Sequence, residues 1–412
     1  MSAFAAASQQ RICSTGAKLI KYNVTADLPF ISAVFLYGVK MVIKNAEIFD
    51  KDFEKIKKDI EIKDSRIGRI GNCVEGNSLN FEGCIVLPGF IDIHTHGCGG
   101  YDVTDGRDES AGKMSQLLAE NGVTSFCPTT MTVGVEKLEK AFSSVRAAMG
   151  VETGAYIHGI NMEGPFISPE KKGAQNEKDI LPPDFELFEK LNSICPVKVV
   201  DIAPEMPGAF GFIQKAKEIC PVSAAHTTAD YETAKAAFDR GINHATHLFN
   251  AMPPLLSRKP GVVGAVFDDS RVYAELICDG VHIAPAVLRT AFRALGEDRA
   301  VVISDSMSAA GMPDGEYALG GQTVFVRDGK ATLEDGTVAG GTSNLFEEFK
   351  NLIKFGIPVK QAVKACTINP AKSIGADDIA GSIETGKNAD LLVLNGEMTE
   401  IKAVFIKGKK VI

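Results

Sequence analysis

The sequence predicts an α/β fold: a (β/α)8 TIM-type barrel with a small β-sandwich domain built from both termini. Three observations carry this. Through the middle of the chain, eight short apolar runs alternate with helical segments. Both ends read instead as short strands of alternating polarity. No G-x-G-x-x-G follows the first apolar run, which removes the doubly wound dinucleotide-binding alternative.

Bulk properties narrow the function. The chain has 412 residues, 45% hydrophobic and 23% charged, as expected of a soluble globular protein. Its net charge of −8 comes with no basic stripe, so nucleic acid is not an expected partner. An anionic ligand would have to be met by a few local positive groups. Nine cysteines are scattered without a C-x-x-C, which suits reduced thiols and a cytoplasmic location. No apolar stretch reaches the roughly 18 residues of a membrane span.

Taken in order, residues 1–40 lack the basic start, apolar centre and cleavage site of a signal peptide in sequence, and are expected to be a disordered extension. Residues 41–87 hold the strand-like stretches VIKNAEIFD, KKDIEIKDSRIGRIG and FEGCIVLP, and with 381–412 they are expected to form the sandwich. Residues 88–380 are expected to form the barrel. Its runs are CIVLPGFIDIHTH, TSFCPTT, YIHGINMEGP, VKVVDIAPE, CPVSAAHTT, INHATHLFNAM, VYAELICDGVH and RAVVISDSMSAAG. ESAGKMSQLLAENG and ADYETAKAAFDRG are helical segments between them. Residues 315–337 read as an inserted hairpin, followed by helices at 342–355 and 358–366.

Chemistry in a barrel belongs at the C-terminal ends of its strands. The first strand ends in IDIHTHG. Alternation along a strand points His94 and His96 the same way. Glu163 ends the third strand, His226 the fifth, His247 the sixth and Asp305 the eighth. Four of the chain's seven histidines thus fall at one rim with two carboxylates. Imidazole and carboxylate are ligands for Zn or Fe, and for Mn or Co. Glu163, His226 and His247 can make a three-ligand site with one position open, and His94 and His96 can hold a second ion with Glu163 bridging. An open metal site lowers the pKa of water to about 7. Asp305 beside it can take a proton as general base and return it as acid to a leaving amine. The implied reaction is metal-assisted hydrolysis of an amide-like bond. Cys98 reads as a small residue in a tight glycine-rich loop, and His158 as structural. Alternation turns His244 away from His247, toward a packing role, while Asp92 lies deeper on the His94 face.

PGFIDIHTHG, MEGPF, AHTTAD, ATHLFNAM, DGVH and ISDSMSAAG together resemble the amidohydrolase superfamily, and within it the N-acetylglucosamine-6-phosphate deacetylase family. HLFNAMPPL followed by SRKPG is the most specific part. The resemblance implies an N-acetyl-amino-sugar 6-phosphate as substrate and acetate plus the free amino sugar phosphate as products. It implies a divalent metal on Glu163, His226 and His247, with His94 and His96 as the extra pair of two-metal members, and Asp305 as the catalytic aspartate. It implies that Asn250, Ala251, Arg258 and His282 hold the sugar phosphate, Arg258 from across a homodimer interface. Ala174, Gln175, Val338, Ala339 and Gly340 match positions lining the sugar. One departure stands out: KKGAQNEKDI carries Gln175 where the family usually has a histidine that polarises the acetyl carbonyl. Glutamine can donate to that oxygen but cannot become charged. Two alternatives stay open, the galactosamine epimer and an inactive scaffold or regulator, while a third does not fit, a dihydroorotase-like enzyme. The last would need a carboxylated lysine at the end of the fourth strand, and Lys198 stands at the wrong end.

Overall fold

At Gly89 the chain passes from one architecture into another. The strand Cys84–Pro88 belongs to a six-stranded sheet, and the next strand, β1 (Phe90–Thr95), opens a parallel barrel. A Cβ at residue 89 would lie 2.2 Å from the Thr124 side chain, so only glycine allows this close passage. The computed structural model describes residues 41–72 and 74–412. The extension expected over residues 1–40 lies outside the described residues.

The barrel continues with β2 (Val123–Thr130), β3 (Ile160–Met162), β4 (Val197–Ile202), β5 (Val222–Ala224), β6 (Ile242–Ala245), β7 (Tyr273–Ile277) and β8 (Ala300–Ile303). Each pairs in parallel with the next. Closure comes just beyond β8: Thr95 bridges Ser306, and the His96 N–H donates to the Ser306 carbonyl at 2.8 Å. Residues from β1, β2, β4, β7 and β8 (Ile91, Ile93, Cys127, Val199, Ile277, Val301, Ile303) share one buried apolar cluster with Ala371 and Ile374. Strands so far apart around the ring can meet only inside it, so the barrel is a packed core.

Helices cover the outside, among them α1 (Ser110–Glu120), α2 (Val135–Ala148), α3 (Phe185–Ile194), α4 (Ala209–Ala216), α5 (Tyr231–Phe238), α6 (Gly261–Asp268), α7 (Pro285–Leu295), α8 (Leu345–Lys354) and α9 (Val359–Cys366). Asp184, Asp230 and Asn344 cap α3, α5 and α8 by accepting backbone N–H bonds. The apolar stripe of α8 reaches the barrel, where the Phe349 ring centroid lies 5.2 Å from that of Phe90.

Strands 41–44, 59–63, 66–71 and 77–80 form a four-stranded sheet. The six-stranded sheet joins 47–49, 55–57 and 84–88 to the C-terminal strands 391–395, 401–406 and 409–410. Ile43, Ile60 and Ile67 of the first sheet share a core with Ile48, Val86, Leu391 and Phe405 of the second. The expected hairpin at 315–337 is instead a three-stranded antiparallel meander, Gly315–Leu319, Gln322–Arg327 and Lys330–Thr332. KAT is too short to read as a strand by pattern, and pairing with Arg327 and Phe325 fixes it.

Candidate metal centre and active site

Three of the strand ends carry unusual backbone. His226, His247 and Asp305 each stand two residues past the last residue of β5, β6 and β8, with φ of 42°, 30° and 44°. Side-chain-bearing residues rarely adopt this left-handed conformation, which costs on the order of 1–3 kcal/mol each and persists where the surroundings enforce it. Glu163 directly follows β3, and Gly164 after it has φ 74° with no room for a Cβ, which would meet Thr132 Oγ1 at 2.1 Å.

These residues converge with the pair on β1. Glu163 Oε1 lies 3.1 Å from His226 Nε2, 3.0 Å from His247 Nε2 and 3.6 Å from His94 Nε2. Its Oε2 lies 3.4 Å from His96 Nε2. The two imidazole pairs are themselves close, with Nε2 atoms 3.3 Å apart in His94–His96 and 3.1 Å apart in His226–His247. Asp305 Oδ1 lies 3.2 Å from His96 Nε2 and 3.5 Å from His94 Nε2. All of these side chains are buried.

The outer nitrogens decide what the inner ones offer. His96 Nδ1 faces the Thr129 carbonyl at 3.2 Å and His226 Nδ1 the Lys171 carbonyl at 2.8 Å. Carbonyls only accept, so both Nδ1 atoms carry a proton, and in the neutral rings that bind a metal both Nε2 atoms present lone pairs. His94 Nδ1 faces the Glu275 carboxylate at 3.0 Å, with the same consequence. Lone pairs would then oppose one another unless a cation lay between them. Two groups, His94–His96–Glu163 and Glu163–His226–His247, each place one ligand atom per residue within 4.8 Å of the others. This donor set fits a divalent ion.

The electrostatics agree. Burial alone would push His94 down, but Glu275, Asp305 and Glu163 around it raise it well above the usual imidazole value. His96 is raised in the same way against its burial, by Asp305 and Glu163. Burial would push Glu163 up, and its bonds to His226 and His247 hold it well below the carboxylate range. The carboxylates around these nitrogens therefore favour a positive charge beside them, which a bound divalent ion would supply in place of a ring proton.

Above the cluster opens a cavity of about 340 Å³. His96, Glu163, His226, His247 and Asp305 reach its floor, while His94 is sealed beneath. Ala174, Gln175, Asn250, Ala251, His282, Val338, Ala339 and Gly340 line its walls. His282 Nδ1 faces Asp279 Oδ2 at 2.7 Å and its Nε2 faces the Ala339 carbonyl at 3.0 Å, tying the loop after β7 to the 338–340 segment. Gln175 is already engaged: its Nε2 donates to Glu163 Oε2 at 2.5 Å and its Oε1 accepts from the Thr132 N–H at 2.7 Å. Arg258 is the candidate that does not join them. It is exposed on a tight turn closed by Leu256 and Lys259, outside the cavity lining of its own chain.

The remaining singled-out residues divide. His158 bonds Ser125 Oγ at 3.0 Å away from the cluster, and burial pushes it down to about 3. Cys98 is a buried thiol, pushed up to about 12 by burial. Asp92 bonds Ser304 Oγ at 2.5 Å; an extra residue in β1 between Asp92 and Thr95 interrupts strict alternation. His244 corrects the alternation argument. It is buried 3.6 Å from Glu275, not turned away from the site, because β6 ends at Ala245 and the positive φ of His247 reverses the expected facing. Glu275 itself was missed. Its signal was a single carboxylate in the apolar run VYAELI, since a buried charge in a strand demands a partner.

The comparisons with known proteins follow this geometry. A sequence profile of the amidohydrolase family matches residues 85–411. An N-acetylglucosamine-6-phosphate deacetylase of Bacillus subtilis is 38% identical over 328 residues, covering 78% of this chain and 83% of that protein. An N-acetylgalactosamine-6-phosphate deacetylase of Escherichia coli O157:H7 is 33% identical over 331 residues, covering 79% and 87%. A Mycobacterium smegmatis N-acetyl-D-glucosamine-6-phosphate deacetylase, a mutant solved in complex with N-acetyl-D-glucosamine-6-phosphate, superposes with a TM-score of 0.85 at 31% identity, covering 91% of this chain and 100% of that one. The chain belongs to the amidohydrolase family, in the group of the N-acetylglucosamine-6-phosphate deacetylases.

Proposed function

We infer that this protein is a metal-dependent hydrolase that removes the acetyl group of N-acetylglucosamine 6-phosphate, giving glucosamine 6-phosphate and acetate. The observation that carries this is the Glu163 carboxylate joining two histidine pairs on the floor of a cavity of about 340 Å³. Glu163, His226 and His247 would hold one divalent ion, and His94 and His96 with Glu163 a second; zinc or iron suits these ligands best. The bound metal supplies Lewis acidity, which acidifies water and polarises an amide carbonyl.

The chain's own residues do the rest. In this reading Asp305 acts as the general base that takes a proton from water and, once protonated, as the acid that delivers it to the leaving nitrogen. Burial would push its carboxyl up, and the His94 and His96 side chains beside it hold it low. Gln175 holds Glu163 in place. Asn250 and the backbone at Ala251 face the cavity with polar groups for the sugar phosphate, and Ala174 and the 338–340 segment close around the sugar. His282 holds that segment through the Ala339 carbonyl.

Arg258 lies outside the cavity of its own chain. Leu255 and Leu256 beside it are 47% and 52% exposed, which supports a homodimer in which this turn reaches the neighbouring site. A guanidinium there would clamp the phosphate bidentately. Among the described residues no helix is long and apolar enough to cross a membrane, and the cysteines are free thiols, six of them buried. Both features suit the cytoplasm.

The galactose epimer is the second substrate to test, because a relative of comparable identity is named for it. Acetate release from the two 6-phosphates, compared by kcat/KM, decides between them. Turnover of the glucosamine epimer no faster than that of the other would overturn the substrate assignment.

A further inference from the structure

Glu275 lies midway along β7 with its side chain fully buried. Its Oε2 faces His94 Nδ1 at 3.0 Å and accepts from the His247 backbone N–H at 3.3 Å. Its own carbonyl accepts from the Leu248 N–H at 2.8 Å. One residue is therefore bonded to a member of each histidine pair: to the ring of His94, and to the backbone that carries His247 at φ 30°. Its other oxygen, Oε1, has no hydrogen-bond partner, and the nearest positive candidate is His244 Nε2 at 3.6 Å. A buried carboxylate oxygen without a partner is costly, and an apolar side chain would serve the strand better. Packing does not account for a glutamate here, whereas the orientation of His94 does.

We propose that Glu275 is the positioning residue that creates the His94–His96 ion position. The carboxylate holds the His94 proton on Nδ1, so that Nε2 faces Glu163 as a lone pair. The His247 N–H aims the carboxylate, which registers one ion position against the other. This rests on the two-ion reading of the site. Removing Glu275 frees the His94 ring and its tautomer, whereas the His226 ring keeps its bond to the Lys171 carbonyl, Glu163 keeps its bond from Gln175, and His247 loses a backbone partner only. The His94–His96 position is then lost first.

The test titrates metal-free protein with Mn(II), counts bound equivalents after desalting, and records the electron paramagnetic resonance spectrum. Wild type is expected to bind two equivalents and give the spectrum of a coupled pair. E275A and H94A are each expected to retain one tight equivalent with an uncoupled spectrum, the second weakened about 10–100-fold. E275A/H94A should be no weaker than either single variant, since both remove the same element. E275Q, which keeps size and an acceptor oxygen, keeps the protein folded if E275A does not and should still weaken the second equivalent about tenfold. A folded E275A or E275Q with the coupled spectrum and unchanged second affinity overturns the proposal, as does equal weakening of both equivalents. A wild-type protein that binds one equivalent, unaffected by H94A, overturns the two-ion reading and the proposal with it.

Discussion

Gln175 Nε2 donates to Glu163 Oε2 at 2.5 Å, while its Oε1 takes the Thr132 N–H at 2.7 Å. The amide that the family resemblance set against the acetyl carbonyl is thus held between the backbone and the bridging carboxylate. Its departure from histidine is a change in how Glu163 is supported.

Replacing it by the family residue should then matter little to chemistry. Q175H is expected to change kcat by less than tenfold, under about 1.4 kcal/mol, if the His94–His96 ion polarises the carbonyl. Steady-state kinetics at saturating metal checks this. A gain of a hundredfold or more would contradict the compensation by that ion.

Asp305 should be separable from metal retention. D305N keeps the shape of the side chain and removes the base, so kcat is expected to fall about 10²–10⁴-fold with metal content unchanged. Loss of metal in parallel with activity would reassign Asp305 as a ligand, as its 3.2 Å approach to His96 Nε2 would then imply.

Arg258 should act on the neighbouring subunit. R258A is expected to raise KM for the phosphorylated sugar. Mixing R258A with D305N and allowing subunits to exchange should restore activity, because the D305N chain lends its Arg258 to the intact Asp305 site. No recovery in a verified mixed dimer would place Arg258 outside the site.

The His282–Asp279 pair gives a stability dependence on pH. Burial opposes both charges, yet their mutual bond raises His282 above 6.5 and lowers Asp279 below 3.8. The histidine part is fully present below pH 6.5 and lost as pH rises through its raised folded-state value. The aspartate part is present above pH 3.8 and lost as pH falls through its lowered value. Wild type should therefore exceed H282N in Tm most between these limits, the gap closing on the alkaline side. A gap independent of pH would show that the pair is not ionised.

Much of this was legible because strand order and strand ends are sequence properties. The eight runs place His94, Glu163, His226, His247 and Asp305 at one rim of the barrel, and the folded chain gathers them there. What escaped were contacts set by three-dimensional closure. Alternation misplaced His244, since a positive φ past β6 reverses the facing of His247. Glu275 needs β1 and β7 brought across the barrel before its partner exists. The grip of Gln175 on Glu163 needs the loop after β3 to fold back over the site. Residues 330–332 are strand only because Phe325 and Arg327 pair with them.

The most direct measurement is acetate release from N-acetylglucosamine 6-phosphate by metal-free protein as a divalent ion is added back, with the unphosphorylated sugar alongside. A metal-dependent 6-phosphate deacetylase releases acetate from the phosphate ester in proportion to bound metal and little from the free sugar. Fully metal-loaded, folded protein that releases no acetate from the phosphate ester would contradict it.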